Sequence, residues 1–121
     1  MLNPFQRFGR RAEELAARHL KENGYKILQK NYRTRSGEID LIALDGEVLV
    51  FVEVKARRSE RFGTPKEALS IQKQRKIVLT ARHYLKESGK QEIRVRFDMV
   101  SILMTGSVPA IEVVKNAFDI G

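Results

Sequence analysis

Cysteine is absent from this chain of 121 residues, and histidine occurs only twice. The lack of cysteine excludes disulfides, thiolate metal sites and cysteine nucleophiles, and two histidines nearly exclude a structural zinc site. The longest apolar run, Val48–Val52, is far too short to cross a membrane. The N-terminus lacks the apolar core of a secretory signal, so we expect no membrane insertion, no export and a cytoplasmic location.

Positive charge is what the chain has in excess. Lys and Arg number 23 against 15 Asp and Glu, a net charge of +8 in a chain whose length predicts one domain over residues 1–121. Between Lys55 and Lys76 there are eight basic and two acidic residues, so +6 of that charge lies in 22 residues. This concentration indicates a polyanionic partner such as nucleic acid, whereas an even distribution would favour a merely solvated surface.

Periodicity and turn residues predict an α/β fold with the element order α-β-β-β-α-β-β. Asn3, Pro4 and Gln6 predict a capped start for the first helix, whose apolar face includes Phe5 and Phe8. Gly24 predicts the end of this helix, Ser70 and Gly89 bound the second long helix, and residues 64–67 predict a short capped turn. The expected strands are Lys26–Tyr32, Glu38–Leu44, Glu47–Lys55, Glu92–Leu103 and Ala110–Lys115. Together they predict a mixed sheet with a central hairpin, flanked by helices.

Acidic residues interrupt the two apolar strands of this hairpin. Asp45-Gly46 is a strong hairpin signal, and with it as a two-residue loop Asp40 lies opposite Phe51. Asp40 and Glu53 are then diagonal neighbours on one face, about 7–8 Å apart, whereas a three-residue loop would separate them. Because an unpaired buried carboxylate is costly, each acid needs a cation, a metal ion or an opening of the sheet.

Two further residues extend this set of acids. Lys55 points to the same face as Glu53, two residues earlier. Glu13 borders the apolar stripe of the first helix and is expected to reach the end of the sheet, whereas Glu14 points away. Acids that hold Mg²⁺ beside a lysine suit phosphodiester hydrolysis. The alternative is a structural one, in which Glu53–Lys55 and Asp40–Arg ion pairs close the end of the sheet.

At these residues the chain resembles a known superfamily. Asp40, followed thirteen residues later by Glu53 and then Lys55, is similar to the PD-(D/E)-x-K signature of restriction-endonuclease-like nucleases. The wider pattern resembles the bacterial YraN-type family, which is regarded as Holliday-junction-resolvase-like, over nearly the whole chain. The matching segments are Gly9 to Ala16, Gly24-Tyr25, Asn31 to Arg33, Gly37 to Ala43, Phe51 to Lys55, Phe62 to Pro65, Lys73, Arg96 to Asp98 and Asn116 to Phe118.

The resemblance implies a restriction-endonuclease-like core, Mg²⁺ as cofactor with Mn²⁺ as a substitute, and cleavage of DNA, branched DNA included. It makes Asp40 and Glu53 metal ligands, Lys55 the catalytic lysine and Glu13 an assisting helix acid. Symmetric junction cutting needs two active sites, so the resolvase analogy also implies a homodimer. The chain departs from the signature at Ile39, which replaces the proline before the first acid.

Basic residues around the acids are candidate contacts to nucleic acid. Arg57, Arg58 and Arg61 directly follow Lys55, so a phosphate backbone held there would pass the acids. The alternative is a flexible solvated turn, but the location beside Lys55 favours contact with DNA. Lys73 follows the core where some nucleases have a glutamine. It is expected either to face the site or to reach over the rim of the core.

Two questions stay open from the sequence. A non-catalytic nucleic-acid-binding module that keeps the nuclease fold would explain the basic segment equally well. RNA is also an open possibility as a substrate, because positive charge binds phosphates and does not distinguish ribose from deoxyribose. Further along the chain, Arg94 and Arg96 share a strand face with Asp98, which predicts an internal ion pair first and backbone binding second.

Overall fold

A computed structural model of the chain describes residues 1–58, 69–90, 92–105 and 108–118. These residues form two helices and five strands in the predicted order α-β-β-β-α-β-β. Arg61 and the predicted turn at residues 64–67 lie outside the described residues. The elements are α1 Pro4–Glu22, β1 Lys26–Thr34, β2 Gly37–Asp45, β3 Val48–Arg57, α2 Ile71–Ser88, β4 Val95–Leu103 and β5 Ala110–Val114.

The predicted helix ends are confirmed. Asn3 caps α1 and forms a reciprocal capping box with Gln6, and Gly24 follows its end at φ +90°. Ser70 caps α2 through the backbone N–H of Lys73, and Gly89 ends this helix in the left-handed region. Neither helix within the described residues combines the length and apolar character needed to cross a bilayer.

The five strands form one mixed sheet in the order β1-β2-β3-β4-β5. Only the β3–β4 pair among these described strands is parallel, and α2 lies in the crossover between them. The apolar strands β2 and β3 are central, as their double-sided apolar pattern predicted. One apolar cluster packs α1 against the sheet around Leu20 and Val52, and the other packs α2 around Phe51 and Tyr84.

The hairpin between β2 and β3 has a different register from the predicted one. Asp45 is paired with Val48, so Gly46 and Glu47 form the loop, with Gly46 at φ +61°. The prediction of Asp45-Gly46 as the loop is therefore wrong: the loop still has two residues but lies one residue further along the chain. Because the total displacement is two residues, every side chain keeps its predicted face.

Asp45 stays in the strand because it belongs to a charge network on the α1 side of the sheet. Arg96 donates to Asp45 and Asp98 at 2.8 Å each, and Tyr25 donates its hydroxyl hydrogen to Asp98 at 3.0 Å. Asp98 is completely buried and also accepts from the backbone N–H of Asn116. The predicted internal ion pair of Arg96 is thus confirmed. It ties the end of α1 to β2, β4 and the segment after β5.

Removing the charge of Asp98 should destabilise the fold. We expect Asp98→Ala to lower the free energy of unfolding by about 3 kcal/mol, because it leaves the Arg96 guanidinium and the Tyr25 hydroxyl without their shared acceptor. Urea denaturation followed by circular dichroism measures this loss. Glu112→Ala, which removes an exposed acid from β5, serves as the control. Equal midpoints for the two variants would contradict the structural role of the network.

Candidate metal and nucleic-acid site

The candidate site lies where β2 and β3 leave their regular pairing. The register runs from Asp45 opposite Val48 to Leu41 opposite Val52, and the next step places Asp40 opposite Glu53. There the Asp40 carboxylate accepts a hydrogen bond of 2.8 Å from the backbone N–H of Val54. The two acids are therefore closer in register than the diagonal pair expected from the sequence.

Three carboxylates converge at this end of the sheet. Glu13 from α1, Glu38 from β2 and Asp40 each offer an oxygen atom, and these atoms lie within 4.8 Å of one another. Asn31 on β1 bridges two of them: with its amide nitrogen facing the acids, it donates to Glu13 at 3.1 Å and to Glu38 at 3.0 Å. The convergence joins the first helix to two neighbouring strands.

Local backbone conformation explains why these strands supply the polar atoms. Asn31 has φ +53°, in the left-handed region that asparagine tolerates better than most residues. Gly37 has φ +151°, and a Cβ there would lie 3.4 Å from the Thr80 hydroxyl and 3.6 Å from Cβ of Lys76. These are ordinary van der Waals distances, so the positive φ, and not lack of space, is what favours glycine at the start of β2. The contact places α2 next to the acids.

Glu53 lies at the same place but is turned toward α2. The residue is only 7% exposed, and its Oε1 is 2.9 Å from Nζ of Lys73. Lys73 was expected either to face the site or to reach over the rim of the core, and in the structure it faces the site. A buried carboxylate with an ion-pair partner avoids much of the cost of desolvation.

The acids separate two cavities, each of about 270 Å³. Asp40 and Glu53 line both cavities. Lys73 and Lys76 also line the cavity on the α2 side, and Lys55 also lines the cavity on the α1 side. Positive side chains from β3 and α2 thus flank the acids on both sides.

The arginines that follow Lys55 lie near this site to different extents. Arg57 is the last residue of β3, and its carbonyl oxygen accepts from the backbone N–H of Met104 at 2.7 Å. The guanidinium carbon of Arg58 lies 4.7 Å from the ring centroid of Phe8 on α1. Arg61 lies outside the described residues.

Proton affinity is raised within the acid cluster. Desolvation by burial, followed by the charge of Glu53, raises the pKa of Asp40 from 3.8 to about 8. Burial also raises the pKa of Glu13, while the hydrogen bond from Asn31 acts in the opposite direction. Burial first, and the like charges of the neighbouring acids second, thus favour the neutral form of these carboxyl groups.

The donor chemistry fits a hard divalent cation. Mg²⁺ prefers oxygen ligands at about 2.1 Å, which places neighbouring ligand atoms about 3–4 Å apart. The oxygens of Glu13, Glu38 and Asp40 need only small side-chain movements to reach that spacing. Glu53 lies outside this group of oxygens, with its Oε1 paired to Lys73.

Sequence reasoning missed Glu38 and Asn31 as members of the site. The signal for Glu38 was available, because a residue two positions before Asp40 on a strand shares its face. Asn31 had no such signal. Its position depends on the pairing of β1 with β2, in which Lys30 lies opposite Leu41 and Tyr32 opposite Ile39.

Comparisons with known proteins give one consistent family. A model of the family described as "Uncharacterised protein family UPF0102" matches residues 12–102. A UPF0102 protein of Desulfosudis oleivorans is 49% identical over 119 residues, covering 98% of this chain and 95% of that protein. A UPF0102 protein of Desulforapulum autotrophicum is 48% identical over 119 residues, 98% of each chain. One of Rhodococcus opacus is 51% identical over 111 residues, 91% of this chain and 94% of that protein.

The raised pKa of Asp40 predicts a pH-dependent gain in stability for Asp40→Asn. Between about pH 4 and pH 8 the unfolded chain ionises this group while the folded chain keeps it protonated, so the folded state of the parent loses relative stability as pH rises. In chelator-containing buffer we expect the variant's advantage to grow by on the order of 1–2 kcal/mol across that window, below the full shift because the carboxyl is partly solvated. Denaturant titrations at pH 5 and pH 8.5 measure it.

Glu14→Gln is the matched control for this prediction. Glu14 is an exposed acid next to Glu13 in sequence, and its neutralisation should leave the pH dependence of stability at the parent's value. An Asp40→Asn variant whose stability follows the parent in parallel at both pH values would refute the raised proton affinity.

Proposed function

The chain belongs to the UPF0102 family, the YraN-type family that its motifs resemble, and we propose that it is a divalent-metal-dependent endonuclease that hydrolyses phosphodiester bonds in nucleic acid. DNA is the expected substrate. The observation that carries the proposal is the convergence of Glu13, Glu38 and Asp40 within 4.8 Å, beside lysines on both sides. Two of the neighbouring acids have basic partners, Glu38 with Arg33 at 3.4 Å and Glu53 with Lys73 at 2.9 Å. Glu13 and Asp40 have no ion pair within the described residues, whereas a purely structural cluster would match each acid with a basic partner.

In this proposal Glu13, Glu38 and Asp40 hold the cation, and Glu53 completes the set when Lys73 releases it. The bound cation would supply Lewis-acid stabilisation of phosphoryl charge and a lowered pKa for water. Asn31 positions two of the acids through its amide, and the Val54 N–H fixes the Asp40 carboxylate. Asp40 must give up its proton before it can serve as a ligand.

Lys55 and the neighbouring basic residues bind the phosphate backbone. Lys55 shares a cavity with Glu13, Asp40 and Glu53, so its ammonium group can hold the scissile phosphate or orient a water molecule. Lys76 and Lys73 line the opposite cavity and extend the positive path. Contacts of this kind position a nucleic acid without reading its sequence. Structure-specific cutting and a homodimer are expected only through the resolvase analogy.

One observation favours the alternative, a nucleic-acid-binding module without catalysis. Lys73 already neutralises Glu53 at 2.9 Å, so this acid has a partner that needs no metal. A module of this kind would bind nucleic acid through its basic residues and would not require the other acids to act. Metal binding distinguishes the two functions.

Titration calorimetry with Mg²⁺, and with Mn²⁺ as the tighter probe, should detect one site. We expect Asp40→Asn and Glu38→Gln each to weaken the affinity at least tenfold, because each removes a charged oxygen ligand. Glu14→Gln, an exposed acid outside the cluster, should bind as the parent does. Absence of metal binding, with and without DNA present, would favour the module.

Cleavage should depend on the same acids. We expect the parent to cut DNA in Mg²⁺ buffer and to stop when a chelator is added, and Asp40→Ala and Glu53→Ala to lower the rate at least about a hundredfold. Gel assays on single-stranded, duplex and four-way-junction DNA, and on matched RNA, measure the rates and the preferred substrate. Glu14→Ala is the control. Parent-like cutting by both acid variants would show that this site assignment is wrong.

A further inference from the structure

The first two turns of α1 carry an aromatic surface beside the acids. Phe5 and Phe8 lie three residues apart and therefore on one side of the helix. Both line the cavity on the α1 side, together with Glu13, Asp40 and Lys55. The sequence placed Phe5 on the buried face of this helix, but it is 88% exposed. We call Phe5 and Phe8 the aromatic shelf.

The exposed ring of Phe5 is available to contact a ligand. Burying a phenylalanine side chain is worth roughly 1.5–3 kcal/mol, yet this ring stands at the mouth of the site instead of packing in the core. Its neighbour Phe8 is only partly exposed and carries the Arg58 guanidinium at 4.7 Å from its ring centroid. The shelf thus combines an open ring face with a cation that comes from the basic segment.

The chemistry of this cavity matches a nucleotide that has left a base stack. Its lining combines aromatic rings with Lys55, which suits a phosphate, and with acids of the proposed metal site. Arg58, whose guanidinium lies over the Phe8 ring, adds a second positive charge beside it. Aromatic side chains bind single strands because every base has a π face, independent of sequence. Inside a duplex those faces are covered by the neighbouring base pairs, so a base reaches such a ring only after unstacking.

We propose that the aromatic shelf is a stacking subsite for an unpaired nucleobase, so that the substrate of the site is a strand with at least one unstacked base beside the scissile phosphate. This inference rests on the proposed function for the position of that phosphate. Phe5 and Glu13 are about 12 Å apart along the helix axis. The stacked base therefore belongs to a nucleotide near the one at the acids, and not to that nucleotide itself.

Binding assays with Phe5 variants test the subsite. Asp40→Asn serves as a non-cleaving background, and fluorescence anisotropy compares a labelled single strand with the same sequence as a blunt duplex. We expect Phe5→Ala in this background to weaken single-strand binding roughly 5- to 100-fold, the range of one lost base–aromatic stack, and to weaken duplex binding less. Phe5→Trp should restore the affinity, whereas Phe5→Leu, which keeps the apolar surface without the aromatic face, should not. Leu79→Ala, which removes an exposed apolar side chain from α2, is the matched control.

A spectroscopic readout is independent of affinity. The chain has no tryptophan and three tyrosines, so Phe5→Trp introduces a single indole at the shelf, which can be excited selectively at wavelengths that tyrosine does not absorb. Stacking of a base on the indole should quench its emission when the single strand binds, and the duplex should quench it less. Unchanged emission at saturating single strand would overturn the subsite.

The remaining outcomes separate this inference from the proposed function. If acid variants abolish cutting while Phe5→Ala binds and cuts single strands like the parent, the stacking subsite is wrong and the nuclease stands. If no variant or substrate shows cutting but the Phe5 effects on binding and quenching appear, the nuclease is wrong and the base-binding shelf stands. Sedimentation of Phe5→Ala and its parent completes the test, because a change in oligomeric state would show that the ring is an interface between copies and would overturn the subsite.

Discussion

The site depends on the point at which β2 and β3 stop pairing as regular strands. Up to Leu41 and Val52 the two backbones bond to each other, and beyond that step the Asp40 side chain takes the N–H of Val54. A carboxylate thereby replaces a carbonyl oxygen as the acceptor, which keeps the buried donor satisfied. The same bond holds the Asp40 carboxyl group at the end of the sheet, where α1 and α2 can both reach it.

Two groups of acids in this fold have opposite electrostatic environments. On the α1 side, Asp45 and Asp98 share the Arg96 guanidinium, and the hydrogen bond from Arg96 lowers the pKa of Asp45. At the candidate site, burial and the neighbouring Glu53 raise the pKa of Asp40. The first group stabilises the fold, because its charge is compensated. In the second group, Glu38 and Glu53 have cationic partners, but Glu13 and Asp40 have none among the described residues. This imbalance is the physical reason to propose a metal ion there.

The basic excess of the chain complements this imbalance without removing it. Lys73 pairs with Glu53, while Lys55 and Lys76 line the cavities on either side of the acids. Phosphate groups need positive partners and a metal ion needs negative ones, so a site that offers both in adjacent cavities suits a phosphodiester. The proposed stacking subsite on the aromatic shelf would add a third kind of contact, from a ring face to a base.

The element order, the helix caps and the central hairpin could be predicted from the sequence, because they depend on local periodicity and on residues such as Asn3, Gly24 and Gly89. The sequence also predicted that Asp40 and Glu53 lie on one face of the sheet. The shifted loop did not change this, because the register is displaced by two residues, and an even displacement keeps each side chain on its face. The hairpin register, the presence of Glu38 and Asn31 in the acid cluster and the exposure of Phe5 could not be predicted in this way. These depend on how β1 pairs with β2 and how α1 and α2 pack on the sheet. Such contacts join residues far apart in the chain, and no local pattern encodes the distance between them.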